Sequence, residues 1–305
     1  MNTTSNLSEL MQTYYDKLFL RRAKPLLVMD QFAQTRSIPQ GEGKIIQFTK
    51  YTPLPKATTP LTEGLNPAGV NLSATSSSAV LAEYGDFGKI SSIVSLTALD
   101  HNIKEKVQLF ADQAALTLDW LLTAEVATHA TEQIAGGKAA ITNLDATDVL
   151  TTQEIRKAVR TMKKNKALKI GGYFIGVLNP DTEYDFTGDA GWVEAAKYAG
   201  STQLWEGEIG KWFGVRMVGT TEPYVYIGGG NAGVDVYSNL IIGAESYGVI
   251  PLAGNKGPTI LVKIPGPSDT SNPLNRFSTC GWVAIRTWKV LQPAWVLNIK
   301  TGVSA

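Results

Sequence analysis

Thr52-Pro53-Leu54-Pro55-Lys56-Ala57-Thr58-Thr59-Pro60-Leu61-Thr62-Glu63-Gly64-Leu65-Asn66-Pro67 is the stretch that decides the fold of this chain. Its prolines exclude a helix interior and a central strand, and its few large apolar side chains are too sparse for a core. A Ser/Thr/Ala-rich segment extends it to Ser78. Strand-like runs flank it, Lys44–Tyr51 before and Gly88–Leu96 after, in which β-branched and aromatic residues alternate with polar ones. Structureless loops beyond about 12–15 residues are uncommon inside compact domains. Fixing a backbone costs about 1–2 kcal/mol per residue, so an ordered form needs many contacts, which the surface of another subunit supplies. Composition alone fits a solvated surface loop equally well. The flanking strands favour a long hairpin that holds the stretch away from the body.

The rest of the composition bounds the answer. With 305 residues, 44% of them hydrophobic, the chain can build one large or two ordinary domains. A net charge of +1 gives no strong field and argues against a dedicated nucleic-acid binder or a polybasic membrane protein. The 29 glycines and 14 prolines imply many turns and a β-rich or mixed architecture. Cys280 is the only cysteine, which excludes an intrachain disulfide and fits a reducing cytoplasm. Residues Met1–Asn6 lack the basic start and apolar run of a secretory signal, and Pro25–Met29 is too short to span a bilayer. The expectation is a soluble, unexported chain without a membrane partner.

Working outward, residues 1–40 read as an arm with one amphipathic helix from about Ser8 to Arg22, where Leu10, Tyr14 and Leu18 recur at helical spacing. Arg21, Arg22 and Lys24 read as a solvated helix end with cations at its negative pole. After the hairpin comes the longest helical signal, from about Asp100 to Gln133 and stopped by Gly136-Gly137. Ile103, Val107, Phe110, Ala114, Leu118 and Leu121 mark one face, and Leu109, Leu116 and Trp120 a second. Such a helix is a spine, backing a sheet on one side and meeting something else on the other. Thr151-Thr152-Gln153-Glu154 starts a further helix that runs to about Lys164. Tyr173–Leu178 reads as a buried strand turned by Asn179-Pro180-Asp181, Trp192–Tyr198 as a short helix, and Trp205–Val218 as a glycine-interrupted strand or turn. Tyr224–Ile227 and Asn239–Ile242 read as strands around a glycine loop, and Thr259–Ile264, Trp282–Val290 and Trp295–Lys300 as late strands expected to pair with the early ones and pack on the spine.

Catalytic and ligand-binding patterns are weak. Gly228-Gly229-Gly230-Asn231-Ala232-Gly233 matches a dinucleotide fingerprint, but strand-like Val234–Tyr237 follows where a helix is required, so it reads as a turn. His101 and His129 lie near opposite ends of one predicted helix, too far apart to share a metal, while Glu125, His129 and Glu132 fall on one helical side and read as a polar face. Glu206 and Glu208 alternate as paired carboxylates would on a strand, yet no cleft is evident. Cys280 has no histidine base and reads as an inert thiol. The tryptophans Trp282, Trp288 and Trp295 read as core or subunit contacts. Neither a catalytic set, a cofactor site nor a metal site is expected.

The order of arm, extended hairpin, spine helix, inserted section and returning strands resembles the Hong Kong 97-type fold of tailed-bacteriophage major capsid proteins. More narrowly, it is similar to the N-four-like major capsid family. The resemblance is carried by Tyr14-Tyr15-Asp16-Lys17-Leu18, Thr59-Pro60-Leu61-Thr62-Glu63-Gly64 with Asn66-Pro67, and Glu83-Tyr84-Gly85. Gly207-Glu208-Ile209-Gly210, Gly214-Val215-Arg216, Pro273-Leu274-Asn275 and Gly281-Trp282 complete it. It implies an α+β chain with an N-terminal arm (1–42), an extended loop or E-loop (43–95), a peripheral domain holding the spine helix (96–150) and the returning strands (251–305), and an axial domain (151–250).

In that family axial domains meet at the centres of hexamers and pentamers, each E-loop lies over a neighbour, and the arm reaches another subunit. The resemblance therefore implies intersubunit contacts by Pro53, Pro55, Thr59, Pro60, Leu61, Glu63 and Asn66 in the loop. In the arm it implies Tyr14, Tyr15, Leu18, Arg21 and Arg22. The implied function is a shell protein assembling in the host cytoplasm into an icosahedral virion around double-stranded DNA, which it touches weakly and without sequence preference. Scaffolding, portal and decoration proteins would be separate partners, and no crosslink through Lys50 or Lys56 is expected. Two rival readings are a shell of an encapsulin-like cellular nanocompartment enclosing an enzyme, and a carbohydrate-acting β-rich enzyme using Glu206 and Glu208.

Overall fold

The computed structural model of the chain describes residues 8–23, 26–39, 41, 43–67, 69–91, 93, 102–199, 210–252, 257–263, 274 and 276–304. It opens with helix α1 (Ser8–Ala23), and a 3-10 turn at Met29–Phe32 leads to the short strand β1 (Gln34–Thr35). Strands β2 (Ile45–Tyr51) and β3 (Ala74–Val80) form a two-stranded antiparallel ribbon, with Ile45 opposite Val80 and Tyr51 opposite Ala74. Strand β4 (Ala82–Ser91) then carries the chain from the ribbon into the body.

The hairpin is real, but its second strand is not the predicted one. Gly88–Ser91 is the end of β4, which pairs elsewhere, and the return strand of the hairpin is the Ser/Thr/Ala run that the sequence reads as an extension of the loop. Ribbon strands exposed on both faces need no large apolar residues, so the periodic signal that marks a half-buried strand is missing from β3.

The spine helix α2 (Asn102–His129) is followed at once by strand β5 (Thr131–Ile134), a stretch predicted to be the end of the helix. Helix α3 (Thr152–Lys164) begins as expected at Thr151, whose side chain accepts from the Glu154 N–H. Strand β6 (Phe174–Leu178) leads into α4 (Pro180–Gly188) and α5 (Ala190–Ala199). Asn179-Pro180-Asp181 therefore starts a helix where a turn was predicted. Asn179 and Thr182 form a reciprocal capping box with Pro180 in the first turn, which suits its fixed φ and missing N–H. Short strands β7 (Lys211–Trp212), β8 (Val215–Gly219) and β9 (Val225–Tyr226) precede β10 (Val236–Ile242) and β11 (Tyr247–Pro251), and β12 (Thr259–Lys263), β13 (Phe277–Val290) and β14 (Val296–Thr301) close the chain.

Two larger sheets result. The 14-residue β13 is the axis of the first: β4 pairs along one edge, and β12 and β11 lie end to end along the other, with β1 parallel to β11. Along β13 every second residue from Ser278 to Val290 is buried, the alternation expected of a strand with one covered face. The second sheet runs β5-β14-β10-β6-β8-β7, with β9 beside the start of β10. The late strand β14 thus pairs with β10 and β5 of the second sheet and not with the first, contrary to the expectation that the late strands pair with the early ones. The spine helix unites the sheets, because Val107, Ala114, Leu118 and Leu122 share one core with Trp282 and Trp288 of β13 and with Ile175, Leu240 and Ile242 of the second sheet. On the other face of that second sheet, α3 buries Ile155, Val159 and Met162 against Phe174, Val215 and Ile241.

α1 lies on the spine. Phe19 and Ala23 are buried in the main core, and Arg22 bonds both carboxylate oxygens of Asp112 at 2.6 and 2.7 Å. Below it, the Met29 N–H donates to buried Asp119 (2.9 Å), the Tyr247 hydroxyl donates to the Met29 carbonyl (2.7 Å), and buried Arg286 pairs with Asp30 at 2.7 Å. Burial pushes the Asp119 carboxyl up to about 6, with nearby Asp30 and Glu222 adding to the rise against the bonds from the Met29 and Val28 N–H groups. A carboxyl raised in the folded state favours the protonated form there. Its contribution to stability is fully present below the ordinary value of 3.8 and is lost as pH rises through about 6. Acidification from pH 7 to 4 should therefore strengthen this joint by roughly 2–3 kcal/mol, taking about 1.4 kcal/mol per unit. Asp119→Asn keeps the acceptor for Met29 and should lack this pH-dependent gain, a difference that urea unfolding across that range measures.

Candidate intersubunit surface

Among the described residues the β2–β3 ribbon is anchored only at its base. Ile46 and Phe48 pack against Ala79, Ile38 and Ile250, and the Arg36 guanidinium lies over the Phe48 ring at 5.8 Å. From Thr49 outward to Ser76 every described residue is exposed. The Thr52 N–H donates to Ser73 O (2.9 Å), closing the last rung of the ladder, and at the tip the Leu65 N–H donates to Thr62 O (3.1 Å) in a turn that Gly64, with φ 79°, allows. Pro53, Pro55, Thr59, Pro60, Leu61, Glu63 and Asn66, the predicted loop contacts, all stand in this exposed stretch. So do six large apolar side chains, Tyr51, Leu54, Leu61, Leu65, Val70 and Leu72, of which Leu61 is 75% exposed. Single exposed apolar residues are ordinary, but a run of them on an arm without a core is the mark of an interaction surface.

A second apolar surface lies on the open face of the first sheet. Phe87 and Leu261 flank Gly281, opposite it on β4 and β12, and are 66% and 52% exposed. A Cβ on Gly281 would come within 2.7 Å of the Phe87 Cβ, so glycine is required for this face to remain concave. The sequence reading singles out neither Phe87 nor Leu261, and Trp282 and Trp288 lie on the opposite, buried face of β13. The signal was available in the alternation of β4, which puts Phe87 on the face opposite to buried Ile90.

The arm residues divide. Tyr14 is exposed and meets Tyr15 edge-on at 5.4 Å, and Arg21 is exposed. Tyr15 and Leu18 pack against the chain's own core, and Arg22 is held by Asp112 and Gln108 of the spine. The arm's apolar side and its Arg22 are thus engaged within the chain, where sequence reading had set Arg22 at a solvated helix end.

The remaining sequence candidates disperse. Glu206, Glu208, His101 and Lys24 lie outside the described residues. His129 Nδ1 is 3.0 Å from the Glu125 carbonyl within the spine, whereas Glu132 has left the helix for β5 and pairs with Lys300 at 2.6 Å. The polar helical side predicted for Glu125, His129 and Glu132 is therefore broken where the helix ends. Gly228–Gly233 forms the loop between β9 and β10, with the Gly228 N–H donating to Asp235 (2.7 Å), and a strand follows it. Burial pushes the Cys280 thiol up to about 11, as an inert core residue requires. Trp282 and Trp288 are buried, and Trp282 donates to Gln113 (3.1 Å), whereas Trp295 is half-buried and donates to Asn165 O at the end of α3 (3.1 Å). Among the described residues no group of three or more His, Cys, Asp or Glu is placed to hold a metal, and no helix is long and apolar enough to cross a membrane.

The chain is similar to known proteins in a consistent way. The sequence pattern of the phage capsid protein family matches residues 115–249, from the middle of the spine helix to β11. No curated protein sequence matches. The capsid of cyanophage Pam1 superposes with a TM-score of 0.68 at 14% identity, covering 93% of this chain and 92% of that one. The capsid of Ralstonia phage GP4 gives 0.68 at 13% identity, covering 90% and 88%. A virus-like particle from Pyrococcus furiosus gives 0.52 at 9% identity, covering 95% and 99%. The chain therefore bears the phage capsid protein pattern through its centre and has, over at least nine-tenths of its length, the Hong Kong 97-type fold of phage capsid subunits.

Proposed function

We infer that this chain is the major capsid protein of a tailed bacteriophage, of the N-four-like kind that its loop residues resemble. Copies assemble through hexamers and pentamers into an icosahedral shell around double-stranded DNA, and the chain itself performs no enzymatic chemistry. The observation that carries this reading is the exposed ribbon and loop from Thr49 to Ser76, whose apolar side chains find no cover among the described residues of their own body. A neighbouring copy provides that cover, and the open sheet face around Phe87, Gly281 and Leu261 is a matching apolar receptor. Residues 1–42 act as the arm, 43–95 as the E-loop, 96–150 and 251–305 as the peripheral domain and 151–250 as the axial domain. Exposed Tyr14 and Arg21 remain available to a further subunit. DNA contact is weak and non-specific, in keeping with a net charge of +1.

The test is sedimentation and electron microscopy of protein purified from infected cells. Closed shells containing nucleic acid are expected. Shells filled with a protein cargo would favour the nanocompartment reading, whose support is the lower structural similarity of the Pyrococcus particle. A chain that stays monomeric at every concentration would contradict both.

A further inference from the structure

The second sheet is electrically polarised along its strands. β6 and β8 run parallel and β10 antiparallel to them, so one end of the sheet gathers the starts of β6 and β8, the end of β10 and the C-terminus of α3. Lys163, Lys164, Lys166 and Lys169 are exposed there, and Lys211 lies over the Tyr173 ring at 4.3 Å. Among the described residues Glu245, exposed on the turn after β10, is the acidic exception. The helix macrodipole accounts for cations in the last turn of α3, but not for those beyond it.

The opposite end gathers the ends of β6 and β8 and the start of β10. Burial raises the pKa of the Tyr237 hydroxyl and nearby Asp181 and Asp235 add to the rise, Glu183 approaches Gly219, and Glu222 follows β8. Two cations near this end are already engaged within the chain: Lys138 with Asp145 and Asp148, and Lys300 with Glu132. Each end also presents an exposed apolar side chain, Phe213 beside the cations and Ile227 beside Asp235.

We propose that the cationic end of this sheet docks onto the anionic end of a second copy, head to tail, so that the charges set the direction and register of the ring of axial domains. The proposal rests on the capsid reading and specifies the joint within it. Opposite patches on opposite ends of one body suit a heterologous, ring-closing contact, whereas an end-to-end two-fold contact would bring like charges together. Single exposed ion pairs add little adhesion, so Phe213 and Ile227 contribute the burial and the charges reject wrong orientations.

Four full-length chains test this: wild type, K163E/K164E, D181K/D235K, and the quadruple variant combining both. All four altered side chains are exposed, and the bond that Asp235 gives up, from the Gly228 N–H, lies in a loop, so each variant should keep the wild-type circular dichroism spectrum. Each double variant cancels the charge of one end, so that the joint loses its complementarity, and should lower the yield of closed shells by about tenfold or more at low salt. The quadruple variant restores opposite charges at the exchanged positions and should recover shells. Double variants that assemble like wild type would overturn the proposal, as would a quadruple variant no better than the doubles. Double variants that form normal shells but retain less nucleic acid would assign the cations to the packaged polyanion and overturn it too. A wild type that never forms shells removes the capsid reading and the joint together, an outcome distinct from intact wild-type shells with indifferent variants.

Discussion

A chain in which residues 53–72 are replaced by Asn-Gly is expected to fold and remain soluble but to form no closed shells. The replacement joins Thr52 to Ser73, which already bond across the ribbon at 2.9 Å, through the two-residue turn that suits a twisted hairpin. Every described residue removed is exposed, so no core contact is lost. Shortening the loop from about 20 residues to 2 also lowers its closure entropy, which should stabilise the subunit by up to about 2 kcal/mol. Thermal unfolding and electron microscopy together read the result. Normal shells from this variant would show that the loop has no role in assembly, and an unfolded subunit would show that it serves its own body.

Arg286→Ala should have the largest effect on the stability of the subunit itself. Arg286 is 4% exposed and bonds Asp30 at 2.7 Å, in the segment whose neighbour Met29 is held by Asp119 and Tyr247. Removing the cation leaves Asp30 beside Asp119 with their shared negative charge unopposed, and breaking such a buried pair costs about 3–5 kcal/mol. Urea unfolding should show this loss, together with easier proteolysis of residues 26–35 as that segment detaches from β11. Replacing both partners, as Asp30→Leu with Arg286→Met, should recover most of it, because two apolar side chains leave no stranded charge. A cost below about 1 kcal/mol for Arg286→Ala would mean that the pair behaves as a surface contact.

Much of this architecture was legible in the sequence, for reasons specific to each element. The spine helix, α3, β6 and β10 carry strong periodic or continuous apolar patterns, because each is covered by a core. The exposed stretch from Thr52 to Pro67 was legible for the opposite reason, since its prolines and sparse apolar residues leave it no core to join. Strand β3 was missed because Ala74–Val80 is exposed on nearly all of its length and its Ser and Thr residues imitate coil. β5 was hidden within a helical signal: Thr131, Gln133 and Ile134 continue the helical composition, and only pairing with β14 makes them a strand. Pairing between distant segments also placed β14 in the second sheet, a choice that no local pattern encodes. At the candidate surface the exposed loop was legible in the sequence. The open sheet face was not, because Phe87 and Leu261 converge only when β4 and β12 pair on either side of Gly281.

The most direct measurement is a cryo-electron microscopy map of the assembled protein at a resolution that traces residues 53–72. These residues should lie across an adjacent copy, with Leu61 and Leu65 covered by a body other than their own. A map or solution structure in which the same residues fold back against their own sheets, in a stable isolated subunit, would contradict the account.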